Sequence, residues 1–356
     1  MNQDSDTLRW LTLDDPHMRP EGLWWFDEYG GELFRYPLRA KQIFSGESWW
    51  VWRLTTHPSG ARIRFRSDTT RLIVRIETWH DADPGQNMHE LFRRGLELRV
   101  NNVFSGRGMS QRLGTENVEL YDDAGDISNE FDIWLPNWNP ARIHGIAVDE
   151  NAQIEAPAPH RLDKPIVTIG TSITHGACAS RPSMIWPGQV ARRLNVGLVN
   201  LGATGATGLN EDIADIICEV DASAYLLKPA LTWIHELDAY RRELPKYLDR
   251  IRRRRPDVPI FILGAIAMAR QKIRPGQTIK CQDGCRQQNE VMLEAIEKYR
   301  ADRGDANTYG VDGFELLGVD DLDGLTDAVH PNDVGFTRMA DRLTPRVAEV
   351  LFGDSA

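Results

Sequence analysis

A chain of 356 residues is longer than one typical domain, so two domains are expected. Hydrophobic residues make up 41% and charged residues 26%, the balance of a water-soluble globular protein. The 52 acidic residues outnumber the 42 basic ones and leave a net charge of −10, which argues against nucleic acid as a partner, since that would favour a basic face. No stretch approaches the roughly 18 apolar residues of a membrane span, so no membrane partner is expected. The opening residues MNQDSDTLRWLTLDD have neither a basic nor an apolar leader region, so the expected location is cytoplasmic. The four cysteines, Cys178, Cys218, Cys281 and Cys285, then read as reduced thiols. Cys281 and Cys285 have no His or Cys cluster nearby to complete a zinc site, so neither a metal nor another cofactor is expected.

Up to about residue 150 the chain repeats a short-strand pattern. Trp49–Leu54 is apolar and β-prone. In the segment that follows, Ala61, Ile63 and Phe65 alternate with arginines. Leu72, Val74 and Ile76 continue the alternation, as do Leu96, Leu98 and Val100, then Phe131, Ile133 and Leu135, and finally Ile143 with Ile146–Val148. Turn formers punctuate these runs at Pro58-Ser59-Gly60, Asn101-Asn102, Asp122-Asp123 and Pro136-Asn137. Period-two alternation broken by such turns predicts half-buried antiparallel strands, hence a β-sandwich over residues 1–155. Trp24, Trp25, Trp49, Trp50, Trp52, Trp79, Trp134 and Trp138 all fall in this half. An aromatic-rich sandwich can present a sugar-binding face. The plainer expectation is that the indoles fill the core and the domain contact.

Residues 152–164 carry two Ala-Pro steps among polar residues and read as a linker. Beyond it, strand-like runs alternate with helical ones, which predicts βαβ units and a parallel sheet. The expected strands are Ile166–Ile169, Val196–Leu201, Ala224–Leu227 and Pro259–Gly264. The expected helices are Trp186–Leu194, Ala239–Arg255, Cys285–Tyr299 and Gly335–Leu351. The dense basic run Arg252–Arg255 falls at a helix end, where cations suit the helix dipole and water solvates them.

The first of these strands ends in Gly170-Thr171-Ser172. A serine in the turn at the carboxyl end of a buried parallel strand sits where open α/β sheets place their ligands. To act as a nucleophile it needs a base and an anion trap. Asp327 and His330, three residues apart just before the last helix, offer the base and the carboxylate that fixes its tautomer. Alone, that spacing is a weak signal. Coupled to a strand–turn serine roughly 150 residues earlier, it becomes much more specific.

These residues resemble the SGNH or GDSL-like hydrolases. Gly170 to Gly176 matches the family's first block, with Thr171 at its middle position. Asn200-Leu-Gly-Ala-Thr-Gly205 matches the second, and Asp327 to Pro331 the last. The preceding sandwich and Trp134-Leu135-Pro136 are similar to the two-domain members with an N-terminal β-sandwich. That subgroup includes an acyltransferase that decorates a tetracycline-type polyketide.

The resemblance implies a flavodoxin-like three-layer α/β domain with a parallel sheet over 164–352. An antiparallel, jelly-roll-like sandwich that can bind substrate or carbohydrate precedes it. It also implies an oxyanion hole formed by the N–H groups of Ser172 and Gly205. The third block departs from the family pattern. Ala230 and Thr232 stand where a Gly and an oxyanion-binding Asn belong, so the third donor is Thr232 or, alternatively, Asn210.

The expected activity is cleavage of a carboxylic ester through a Ser172–His330–Asp327 triad and an acyl-enzyme. Transfer of an acyl group from an ester or CoA thioester to a small-molecule, sugar or natural-product hydroxyl shares the same mechanism to its midpoint. The rival from another class is a catalytically weak glycan-binding protein.

Overall fold

The computed structural model describes residues 7–47, 49–79, 87–123, 127–206, 209–269 and 281–353. The chain divides into two compact units. One comprises Met1–Tyr36, Thr56–His160 and Ser180–Ser183, the other Pro37–Thr55, Arg161–Ala179 and Met184–Ala356.

Among the described residues the first unit carries nine strands: β1 (Leu8–Leu11), β2 (Arg62–Ser67), β3 (Arg71–Thr78), β4 (Gly95–Val100), β5 (Val103–Met109), β6 (Gly114–Asp122), β7 (Asn129–Trp134), β8 (Ala141–Asp149) and β9 (Ile154–Glu155). They form two antiparallel sheets, ordered β1-β8-β3-β6 and β5-β4-β7-β2-β9. Alternating residues of both sheets meet in one core that includes Ile63, Phe65, Val74, Ile76, Leu98, Val118, Phe131 and Ile146. Burying these side chains is the main driving force for pairing the sheets, at roughly 1.5–3 kcal/mol for each large one. Of the tryptophans, Trp25, Trp134 and Trp138 are buried, whereas Trp24 is exposed.

The strict alternation in β2 holds, but of its three arginines only Arg66 faces water. Arg62 and Arg64 are as buried as a core residue. Arg62 donates to Glu21 and Asp132 at 3.2 and 3.0 Å, and Arg64 to Glu21 at 3.2 Å. His160 closes the group, with Nε2 at 3.1 Å from Glu21, and Arg64 also donates to the Ala158 carbonyl. Residues expected to form a free linker are therefore pinned, and Ile154–Glu155 adds an edge strand to β2.

Burial raises the Glu21 carboxyl, but the arginines and the His160 hydrogen bond outweigh it and hold it down to about 2. That value lies below the unfolded carboxylate near 4.3. The stabilisation is therefore complete above about pH 4 and is lost as the pH falls through the folded value toward 2. Denaturant unfolding of the full chain across this window is expected to show a steep acid limb that Glu21→Gln flattens. Equal slopes in the two proteins would rule out Glu21 as its source.

The second unit is built on a parallel sheet of β10 (Ile166–Gly170), β11 (Leu198–Gly202), β12 (Ala224–Lys228), β13 (Ile260–Leu263) and β14 (Thr308–Val311). Their order is β11-β10-β12-β13-β14. This is the doubly wound arrangement in which the strand order reverses at the first strand, and the crevice beyond the carboxyl ends of β10 and β12 is its natural ligand site. Strands β10 to β13 are entirely buried, as a sheet covered on both faces requires. Helices Trp186–Leu194, Leu237–Arg254, Cys281–Arg303 and Asp333–Phe352 follow the sequence expectation to within a few residues.

Trp49–Leu54 corrects that expectation. The segment is helical, Trp49–Thr55, and with the helix Ala40–Glu47 it belongs to the second unit. Tertiary packing overrides the β preference of consecutive aromatic and branched residues. In the basic run, Arg252 pairs with Asp305, Arg254 with Asp215 and Arg255 with Asp221, so acidic partners take up much of its charge. Among the described residues no helix is long and apolar enough to cross a membrane. Cys178, Cys218 and Cys285 are buried thiols outside any disulfide. The Cys281 side chain lies outside the described residues.

Candidate active site

Gly170 ends β10 in register with Gly202 on one side and Lys228 on the other. Both glycines are there for space. A Cβ on Gly170 would lie 2.3 Å from Thr174 Oγ1, and one on Gly202 would lie 2.4 Å from the His175 nitrogen. The chain can thus turn sharply from β10 into the short helix Ser172–His175 and still pack against β11. Asn200 fastens this turn from below. Its side-chain oxygen accepts from Thr168 Oγ1 at 3.1 Å and from the Gly202 N–H at 3.0 Å. Its amide donates to the Thr174 carbonyl at 3.0 Å. Gly176, at φ 101°, ends the helix with its N–H on the Ser172 carbonyl. His175 is fully buried and lies 3.0 Å from Thr204 Oγ1, tying the serine helix to the turn after β11.

The partner loop is built as tightly. Leu325 and Pro331 bridge its two ends, and the Thr326 N–H donates to the His330 carbonyl at 2.8 Å. Asn332 caps the final helix, accepting from the N–H groups of Val334 and Gly335, and its own N–H donates to the Gly324 carbonyl. Inside the loop the two oxygens of Asp327 have separate tasks. Oδ1 accepts the N–H groups of Val329 and His330, each at 2.7 Å. Oδ2 lies 2.8 Å from His330 Nδ1, and His330 Nε2 lies 2.9 Å from Ser172 Oγ. Burial raises the Asp327 carboxyl, but the His330 side-chain and backbone donors prevail and hold it below the ordinary carboxylate value. It is therefore charged at neutral pH. Ser172, His330 and Asp327 are all half-buried, open enough to meet a ligand.

Gly205 lies in the turn after β11 at φ 84°, a conformation that favours glycine. The Trp50 ring packs on it so closely that a Cβ there would lie 2.1 Å from the indole. The sequence reading missed this use of Trp50, because it took the surrounding segment for a strand. Thr207 and Gly208, which continue the Gly-rich turn, lie outside the described residues. Thr232 is exposed on a short 3₁₀ helix, Leu231–His235, that leaves β12 beside the serine turn. Asn210 serves the backbone. It is the N-cap of the helix Glu211–Ile217, its side chain accepting from the N–H groups of Asp212 and Ile213. The structure thus brings Ser172, His330 and Asp327 into one hydrogen-bonded line, engages the Asn210 side-chain oxygen in a helix cap, and joins Thr232 to none of the three by a hydrogen bond.

Residues 163–348 match the GDSL-like Lipase/Acylhydrolase family, and residues 8–154 match the N-terminal domain type of SGNH-hydrolase esterases. No curated protein sequence matches the chain. Among solved structures, a protein of Bacteroides ovatus ATCC 8483 assigned as a GDSL-like lipase aligns over 97% of this chain and 98% of its own, with a TM-score of 0.81 and 22% identity. The salicylyl-acyltransferase SsfX3 of a tetracycline biosynthetic pathway aligns over 96% and 97%, with a TM-score of 0.79 and 20% identity. A family two carbohydrate esterase from Clostridium thermocellum, solved with cellohexaose, aligns over 82% and 93%, with a TM-score of 0.62 and 16% identity. These likenesses establish a shared two-part fold. With the family match spanning more than half its length, the chain belongs to the GDSL-like lipase/acylhydrolase family.

Proposed function

We propose that this protein is a serine esterase that cleaves a carboxylic ester of a small molecule through an acyl-enzyme. The observation that carries the reading is the unbroken line Ser172 Oγ–His330 Nε2–His330 Nδ1–Asp327 Oδ2, with contacts of 2.9 and 2.8 Å. Ser172 attacks the carbonyl carbon while His330 takes its proton at Nε2. Asp327 holds the ring in the tautomer that leaves Nε2 open and stabilises the imidazolium that forms. The N–H groups of Ser172 and Gly205 receive the oxyanion. His330 then returns the proton to the departing alcohol, and water resolves the acyl-enzyme by the same route in reverse. In this reading catalysis belongs to residues 164–352. The first unit, which leaves out Pro37–Thr55, is an accessory domain for holding substrate, with Trp10, stacked by Arg75, and Trp24 as exposed indoles.

A fluorophosphonate probe tests the assignment. Stoichiometric labelling at Ser172 is the expected result, and folded protein that takes up no label would instead favour a binding module. A screen of short and aromatic acyl esters and acyl-CoAs, with and without added alcohols, then defines the acyl group and acceptor.

Two observations favour a second reading, acyl transfer to an alcohol. The structure shared with SsfX3 covers nearly the whole chain. Thr232 also stands where the family places an Asn, so a third oxyanion donor is shortened. Losing one such donor typically costs about 10²–10³ in turnover. Thr232→Asn is therefore expected to raise kcat for simple esters with KM little changed, because the donor acts on charge that appears only after attack. If small-ester hydrolysis stays constant while transfer to added alcohols falls, Thr232 instead makes room for an acceptor. No change in either reaction would move the search for the third donor to the turn after β11.

A further inference from the structure

Cys178 has no part in the chemistry above, yet the fold places it against that chemistry. The serine helix ends at Gly176, and Ala179 closes a tight turn by donating to the Gly176 carbonyl at 3.1 Å. Within this turn Cys178 adopts φ 77°, a left-handed conformation that L side chains rarely take, and it is buried. That backbone brings its thiol beside the far side of the base. Cys178 Sγ, an Asp327 carboxylate oxygen and a His330 ring nitrogen all lie within 4.8 Å of one another. Among the described residues this is the one group of three metal-ligating side chains drawn so close together.

We propose that Cys178, Asp327 and His330 form an inhibitory site for a borderline-soft divalent cation, Zn²⁺ above all. A thiolate with an imidazole selects zinc over magnesium or calcium, which prefer all-oxygen shells. Around a tetrahedral zinc, sulfur, nitrogen and oxygen ligands sit roughly 3.3–3.7 Å apart. The thiol therefore closes in by about an ångström at most, while His330 Nδ1 and Asp327 Oδ2, 2.8 Å apart, open by roughly half an ångström to admit the ion.

The consequence follows from the two ring nitrogens. Nδ1 faces Asp327, and Nε2 faces Ser172. A cation bound among the thiol, the carboxylate and the ring takes Nδ1. The Nδ1 proton moves through solvent to Nε2, and the thiol releases its proton to water, so one proton leaves per cation bound. Nε2 then carries hydrogen and can no longer accept the Ser172 proton. Zinc thus stops the reaction without occupying the substrate's place.

Binding at this site is independent of the proposed activity. Its inhibitory effect rests on the reading of His330 as the base, so the test has two arms. In the first, Co²⁺ alone is titrated into the full chain. One equivalent is expected to bind with a thiolate-to-cobalt charge-transfer band in the near ultraviolet, and Zn²⁺ is expected to abolish the band. Cys178→Ser should remove the band and weaken binding by more than about tenfold. His330→Gln, which leaves the thiol untouched, should weaken it similarly and serves if the cysteine variant folds poorly. In the second arm, Zn²⁺ should slow fluorophosphonate labelling of the wild type by more than about tenfold, while Cys178→Ser labels at one rate with and without the metal. No thiolate band in the wild type, or a band that survives both substitutions, overturns the site. Wild type that binds cobalt but never reacts with the probe leaves the site standing and overturns the esterase reading.

Discussion

Ser172→Ala is expected to lower turnover by about 10⁶-fold while leaving the fold intact, since removal of a nucleophile that works as one unit with its base costs nearly as much as removing both. The activity claim rests on position and on one contact. Ser172 begins the short helix at the switch point of the parallel sheet, and the hydrogen bond of its hydroxyl runs to His330 Nε2 at 2.9 Å. Two neighbouring hydroxyls lie out of a substrate's reach. Thr174 is fully buried beneath the turn, with its Oγ1 against Gly170, and Thr168 donates to Asn200. Neither can meet a substrate. The stability claim rests on what holds the turn. The Gly170 and Gly202 close approaches and the Asn200 hydrogen bonds do not involve the serine hydroxyl. Alanine is also a good helix former, so the short helix tolerates it. Residual rate from the oxyanion donors and binding should remain at about 10³–10⁴ over water. The measurements are kcat on the best ester of the screen and the thermal unfolding midpoint. A variant that unfolds like wild type and keeps more than a few per cent of its activity would remove Ser172 from the nucleophile's role.

How much of this was legible in the sequence depends on whether the determinant is local. The buried runs of β10 to β13 declared themselves because a strand covered on both faces is apolar throughout. β14, Thr308–Val311, did not, because two of its four residues are only half-buried. The block around Ser172 was legible because the glycines on either side are needed for backbone space, and that requirement is written in the residue type.

Features fixed by distant partners were hidden. Nothing in Trp49–Thr55 reveals that the Trp50 ring must lie on Gly205, and without that contact the segment reads as a strand. Alternation along β2 correctly gave the core face, but it could not show that Arg62 and Arg64 would be buried by Glu21, Asp132 and His160 from other parts of the chain. Nor did the residue type alone reveal that the Asn210 side-chain oxygen caps a helix. Cys178, close to Ser172 in the chain, gave no sign of facing Asp327 and His330, which lie some 150 residues further on.

Asp327→Asn is expected to cost about 10⁴ in kcat with little loss of stability, a larger effect than the removal of one charge by itself suggests. The reason lies in the division of labour between the two oxygens. Oδ1 organises the loop by accepting from Val329 and His330, each at 2.7 Å, and asparagine retains an oxygen for that task. Oδ2 faces His330 Nδ1 at 2.8 Å, and asparagine presents an NH₂ group there instead. Two donors cannot share one hydrogen bond, so the ring exchanges its proton from Nδ1 to Nε2. The imidazole then offers Ser172 a donor where it needs an acceptor, and general-base catalysis stops although every heavy atom is nearly in place. Asp327→Ala should differ in a diagnostic way. It frees the ring to choose its tautomer but takes the acceptor from both N–H groups, so the loop bridged by Leu325 and Pro331 loosens and the unfolding midpoint falls. The nitrogen-15 chemical shifts of His330 report the tautomer directly. Asp327→Asn should place the proton on Nε2, whereas wild type should carry it on Nδ1 at a pH where the ring is neutral. A slow Asp327→Asn variant whose His330 keeps the wild-type tautomer would mean that Asp327 acts through its charge alone.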